Sequence, residues 1–142
     1  MSSAANIADA VVTELNSGVF NPPFTAQRVL LPLFTLPELA DLKVTVVPVS
    51  RSEEMVSRGS VLNRFEIHIA VQKKISQIET DVPPLITLTD AIGDYMRFRR
   101  LAGVPEALWV KTDVEVIYAP EHLLNDRVFT SVLKLHYKLA GD

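Results

Sequence analysis

The chain has 142 residues, a formal charge of −3 and no cysteine. That length makes one domain of ordinary size, able to bury about 68–70% of the surface its unfolded form exposes without a covalent or metal staple. The charge offers no bulk electrostatic pull towards nucleic acid, and the missing cysteine removes disulfide frameworks, thiolate zinc sites and thiol catalysis.

Residues 1–5 carry no basic side chain and lead into an amphipathic pattern with Asp9 and Glu14, unlike a secretory signal. No apolar run approaches the roughly 18–20 residues needed to span a bilayer, so the expectation is a soluble protein. Ile7, Val11 and Leu15 recur every four residues, with Val12 broadening the stripe, and predict a first helix. Ser2 or Ser3 caps its start, and Asn16-Ser17-Gly18 ends it. Asn21-Pro22-Pro23 then favours an extended connector.

Residues 28–33 form a short extended run. Pro32 cannot donate to a ladder, so this strand is an edge or stops there. Residues 36–42 read as a helical turn or a loop with apolar anchors. Residues 43–48 are a strand that Pro48 should end or confine to an edge. A charged connector follows over 49–60, resembling neither helix nor tight turn, and is expected as a long, mobile, protruding loop.

Residues 64–73 alternate cleanly. Phe65, Ile67, Ile69 and Val71 share one face, and Glu66, His68, Ala70 and Gln72 the other. Residues 75–84 read as a linker ending in two prolines, and 85–100 as the main helix. Leu85, Leu88, Ile92 and Tyr95 or Met96 form its stripe; Asp81 or the prolines start it, and Gly103 and Pro105 stop it.

Residues 108–118 predict a strand with Leu108, Val110, Val114, Val116 and Tyr118 on one face and Trp109, Lys111, Asp113 and Glu115 on the other. Residues 120–127 connect it to a last strand over 129–139. There Phe129, Leu133, Leu135, Tyr137 and Leu139 point inward, and Thr130, Lys134, His136 and Lys138 outward. The order α-β-β-β-α-β-β gives an α+β domain: a mostly antiparallel sheet with helices on one face.

The chemistry of catalysis is sparse. His68, His122 and His136 have no second histidine at ligand spacing, and no carboxylate is recruited in an evident way to His68 and His136. No serine sits in a nucleophile elbow, and the glycines form no phosphate cradle. The expectation is a protein that is not an enzyme and needs no cofactor or metal.

The remaining signals are candidates for contact. The connector holds Arg51, Glu53, Glu54 and Arg58, with Met55 and Val56 between them. This is either a solvated loop or a contact arm, and the apolar pair favours the arm. Arg97, Arg99 and Arg100 form a basic knot at a helix end, either dipole complementation or an intersubunit ion-pair site. Trp109 either packs beneath a loop or the first helix, or anchors a protein contact. Phe20 and Phe24 bracket the proline turn as satellite core.

Phe24-Thr25-Ala26-Gln27-Arg28, Leu31-Pro32, Leu36-Pro37-Glu38-Leu39, Asp41 through Pro48 and Ala70-Val71-Gln72-Lys73-Lys74 resemble small proteins of tailed-phage structural clusters. The order of elements, over nearly the whole chain, is similar to the tail-terminator or tail-completion proteins of long-tailed phages. The resemblance implies a virion structural protein, assembled in the host cytoplasm, that forms a homohexameric ring. The ring caps the tail tube and docks to the head-completion or connector protein, while DNA passes through its lumen. Interface residues on this reading are Arg51, Glu53, Glu54, Met55 and Arg58 for the axial partner, and Arg97, Arg100 and Trp109 for neighbouring subunits. The rival readings are a head-completion or stopper protein of the same neck, a small non-virion binding module, and a hydrolase built on His68 and His136.

Overall fold

The computed structural model describes residues 3–30, 37–114 and 127–141. The first helix, α1, spans Ala4–Ser17, and the Ser3 side chain accepts from Asn6 N–H at 3.2 Å to cap it. Its stripe of Ile7, Val11 and Leu15 is buried. Gly18 closes the helix with its N–H on the Leu15 carbonyl. A Cβ there would lie 2.8 Å from the Phe20 ring and 2.9 Å from the Tyr95 ring, so only glycine fits. Phe20 stacks on Phe24 at 5.0 Å and meets Tyr95 edge-on at 5.1 Å, the satellite core expected of that pair.

Five strands follow: β1 Ala26–Arg28, β2 Lys43–Ser57, β3 Ser60–Lys74, β4 Leu108–Val114 and β5 Val128–Gly141. They form one sheet in the order β1-β2-β3-β5-β4. Only the β1–β2 pair is parallel. The domain is therefore α+β with a mostly antiparallel sheet, in the expected element order. Asn16 positions β1: its side-chain amide donates to the Ala26 carbonyl at 3.1 Å and accepts from the Ala26 N–H at 2.7 Å. Residues 31–36 fall outside the description, as do Glu115, Val116, Tyr118 and the connection over 120–126. Between β1 and β2 a single 3-10 turn, Glu38–Ala40, buries Leu39.

The core lies between one sheet face and the helices. Val46, Ile69 and Leu133 stand in one row across β2, β3 and β5, and Ile67 and Leu135 in the next. All are fully buried. Helix α1 covers β1, β2 and β3, and the second helix, α2, covers β5.

Helix α2 spans Ile78–Met96 and corrects the expected start at Leu85. Pro83 and Pro84 lie inside it. They sit on its exposed side, where the carbonyls of Glu79 and Thr80 that lose their donors face water. Asp81 supplies the start signal. Its carboxylate reaches back to accept from the N–H groups of Ser76 (2.9 Å) and Gln77 (3.0 Å). The helix ends four residues before Arg100, because Arg97 leaves helical geometry and Phe98 takes φ +59°.

The largest correction concerns residues 49–60. These are not a loop. β2 continues past Pro48 to Ser57 and pairs with β3 as far as Ser57 opposite Ser60, leaving only Arg58-Gly59 as the turn. Gly59 adopts φ +82° there. Pro48 is tolerated because its nitrogen faces the sheet's open side. Val46 offers its carbonyl to Val29 on that side, strand residues alternate, and β1 stops opposite Val46. β5 also pairs with β3 out to Gly141 opposite Val61. The protrusion is thus a three-stranded ribbon for most of its length.

Candidate interaction surfaces

Every residue of β2 from 49 to 57 is exposed. Alternation divides the ribbon into two faces. Arg51, Glu53 and Met55 lie on the face that continues the core, opposite Phe65, Asn63 and Val61. Ser52 and Glu54 lie on the other, opposite Arg64 and Leu62. Most of the charges are used within the ribbon. Arg51 donates to the Asn63 side-chain oxygen at 2.8 and 3.1 Å and to Glu53 at 3.1 Å, and Arg64 donates to Glu54 at 3.3 Å. Such half-exposed pairs fix side chains more than they stabilise the fold. Three expected contact residues are therefore engaged within the ribbon, Arg51 and Glu54 across to β3 and Glu53 along its own strand. Met55 (77% exposed), Val56 (65%) and Arg58, which has no ion-pair partner among the described residues, are left at the tip.

The basic knot divides likewise. Arg99 turns inward: it donates to the Tyr95 carbonyl at 3.0 Å and to Glu14 at 3.3 Å, and its guanidinium lies 3.7 Å from the Tyr95 ring centre. Arg97 and Arg100 are exposed, without an ion-pair partner among the described residues. Beyond them Phe98 meets Trp109 edge-on at 4.9 Å and is 81% exposed. Periodicity lends Phe98 no prominence, because the expected helix over 85–100 runs through it. Its signal is the switch to positive φ, visible only in the structure.

Trp109 also lies differently from expectation. A β-bulge at Val110 opposes Trp109 and Lys111 to the adjacent Tyr137 and His136. The extra residue returns Thr112 to the same face as Trp109, and Trp109 Nε1 donates to Thr112 Oγ1 at 3.0 Å. The indole packs against the core, half-buried. Lys111 and Asp113 take the opposite, helix-free face, while Leu108, Val110 and Val114 remain exposed on an outer strand.

That helix-free face gathers carboxylates around the two strand histidines, which the sequence reading missed. His68 Nε2 lies 2.6 Å from Glu66, His136 Nδ1 4.0 Å from the other Glu66 oxygen, and His136 Nε2 3.2 Å from Asp113. The register explains it: Glu66, His136 and Lys111 share one row, and His68, Lys134 and Asp113 the next. The His68 hydrogen bond, foremost, holds the Glu66 carboxyl below the usual range. Lys111 does the same for Asp113, assisted by His136. The cluster binds three strands together. Among the described residues no group of three or more such side chains is arranged to hold a metal ion, and no helix is long and apolar enough to cross a membrane.

Comparison with protein-family models finds no family that matches this chain, and comparison with curated proteins finds no matching relative.

Proposed function

We propose that this chain is a virion structural protein of a tailed phage, a tail terminator whose copies form a ring, expected to be a hexamer, at the head–tail junction. The ring caps the finished tail tube and docks to the head-completion or connector protein, and DNA passes through the lumen without sequence-specific contact. The protein acts by shape and contact.

The observation that carries this reading is the ribbon. It projects a paired, stiff element beyond the helices, and its tip exposes Met55 and Val56. Apolar side chains held out in water on a projecting element mark a protein contact. A formal charge of −3 suits a passage through which phosphates must move freely.

The test uses purified chain added to polymerising tail-tube protein from the phage that encodes it. Tubes should stop lengthening and show a ring at one end. A variant with Met55→Asp and Val56→Asp should fold normally and fail to cap. Tubes that grow unchanged, with the chain left free, would reject the proposal; binding to the head connector alone would assign the chain to head completion.

A further inference from the structure

The start of α2, the end of β3, the 3-10 turn and the proline connector after α1 meet around an open cavity of about 520 Å3. Its lining is largely apolar. Ile75 and Leu85 are buried beneath it, and Pro22 and Pro84 line it with them. A concave apolar surface on which a few polar groups converge has the form of a small-molecule site.

The charged groups at this cavity differ in how far they are used. Asp81 lines it, but one of its carboxylate oxygens already accepts from the Ser76 N–H (2.9 Å), the Ser76 hydroxyl (3.1 Å) and the Gln77 N–H (3.0 Å). The bonds from Gln77 and Ser76, with a smaller contribution from Lys73, hold the carboxyl below its usual range. Lys73 is the opposite case. It is half-buried, and its ammonium donates to the Ala40 carbonyl at 3.2 Å and, at the limit of bonding, to the Lys74 carbonyl at 3.5 Å. An ammonium has three donors, and Lys73 has no ion-pair partner among the described residues. Lys74 lines the same cavity, exposed and likewise unpaired among them. A partly desolvated cation beside apolar surface calls for an anion. Asp41 and Glu79 follow or precede the lining residues Ala40 and Thr80, and Arg127 donates to the Ser76 carbonyl at 3.4 Å. All three are exposed, so solvent and salt screen them. Lys73 therefore sets the charge that fits.

We propose that this cavity binds a small monocarboxylate with an apolar body, the chemistry of a medium-chain fatty acid. The carboxylate takes the unused donors of Lys73 and Lys74, and the alkyl chain covers Ile75, Pro84, Leu85 and Pro22. This site goes beyond the ring reading and does not rest on it.

Isothermal titration of the intact chain with sodium decanoate, followed in parallel by methyl NMR, tests the inference. One site with a Kd below about 1 mM is expected, with the largest shifts at Ile75 and Leu85. Decanol keeps the chain and lacks the charge, and should bind at least about tenfold more weakly. Lys73→Met should weaken decanoate about tenfold, the loss of one charge-assisted hydrogen bond, and leave decanol unchanged; Lys73→Arg should restore the affinity. Lys74→Met changes an exposed side chain and should weaken decanoate with melting unaltered, so the site can be judged even where Lys73→Met does not fold. A peptide terminus carries the same chemistry, and acetyl-Ala-Ala-Leu with a free carboxylate should bind more weakly than decanoate. Tighter binding of that peptide, no saturable binding of decanoate, equal binding of decanol, shifts centred elsewhere, or lysine variants that bind as the wild type does would overturn the proposal. Tube capping is not read here, so loss of either proposal leaves the other standing.

Discussion

Replacing Arg99 with methionine should show what holds the end of α2 in place. The Glu14 side chain is 11% exposed and rests on two donors, Arg99 Nη1 and the Ala102 N–H, each at 3.3 Å. The Arg99→Met substitution keeps the aliphatic stem and strands the carboxylate on one donor. Breaking a fully buried ion pair costs about 3–5 kcal/mol. The Arg99 side chain is 36% exposed and the contact is long, so about 2 kcal/mol is expected here. Loss of the guanidinium over the Tyr95 ring adds roughly 0.5 kcal/mol. At about 3–4 °C per kcal/mol for a domain of this size, Tm should fall about 8–10 °C. Adding Glu14→Gln removes the stranded charge and should recover roughly 1 kcal/mol. Differential scanning calorimetry gives the energies. The fluorescence of the single tryptophan reports whether Phe98 still rests on Trp109. A double variant no more stable than Arg99→Met alone would refute the reasoning, because the cost would then lie in lost packing.

The acid limb of stability should depend on Glu66. Its folded pKa is depressed, chiefly by His68, so its contribution is present above the ordinary carboxylate range and is lost as pH falls through the folded value. Urea midpoints for wild type and Glu66→Gln should differ at pH 7 and converge as the carboxyl protonates; a constant difference would contradict this. The ribbon can be shortened only as a paired element. Replacing residues 55–61 by Asn-Gly joins the Glu54–Leu62 pair and should move Tm by less than about 2 °C while abolishing tube capping. Deleting 52–57 alone strips a strand from β3 and should destabilise measurably more. Gly18→Ala should cost about 1–3 kcal/mol, read by calorimetry. The added methyl would collide with Phe20 and with a Tyr95 whose hydroxyl is held on the Glu14 carbonyl at 2.8 Å.

Wherever a side-chain pattern was pinned by burial on one face, the sequence was enough. Phe65, Ile67, Ile69 and Val71, and Leu133, Leu135 and Tyr137, alternate because one face meets the helices, and both runs lie as their spacing demands. Burial pattern could not reveal β2 beyond Pro48, since all of its residues are exposed there. Its strand geometry comes from β3, not from a core. The prolines misplaced the start of α2 because the deciding signal was a carboxylate reaching backwards from Asp81. One inserted residue at Val110 shifted Trp109, Thr112 and Lys111 relative to simple alternation, and a bulge leaves no mark in composition. Of the expected contact residues, Met55, Arg58, Arg97 and Arg100 stand open. Glu66 and Asp113 could join the histidines only once the register was known.

The partnership of β5 with β3 out to Gly141 changes what the projecting element is mechanically. A two-stranded arm bends and twists freely, so its tip searches for a target. Three hydrogen-bonded strands resist both motions, and two of them carry the fully buried Ile67, Ile69, Leu133 and Leu135 of the core. Met55 and Val56 therefore keep a nearly constant bearing relative to the helices. Load applied at the tip travels as shear along the ladders into the body, so the element works as a lever rather than a tether.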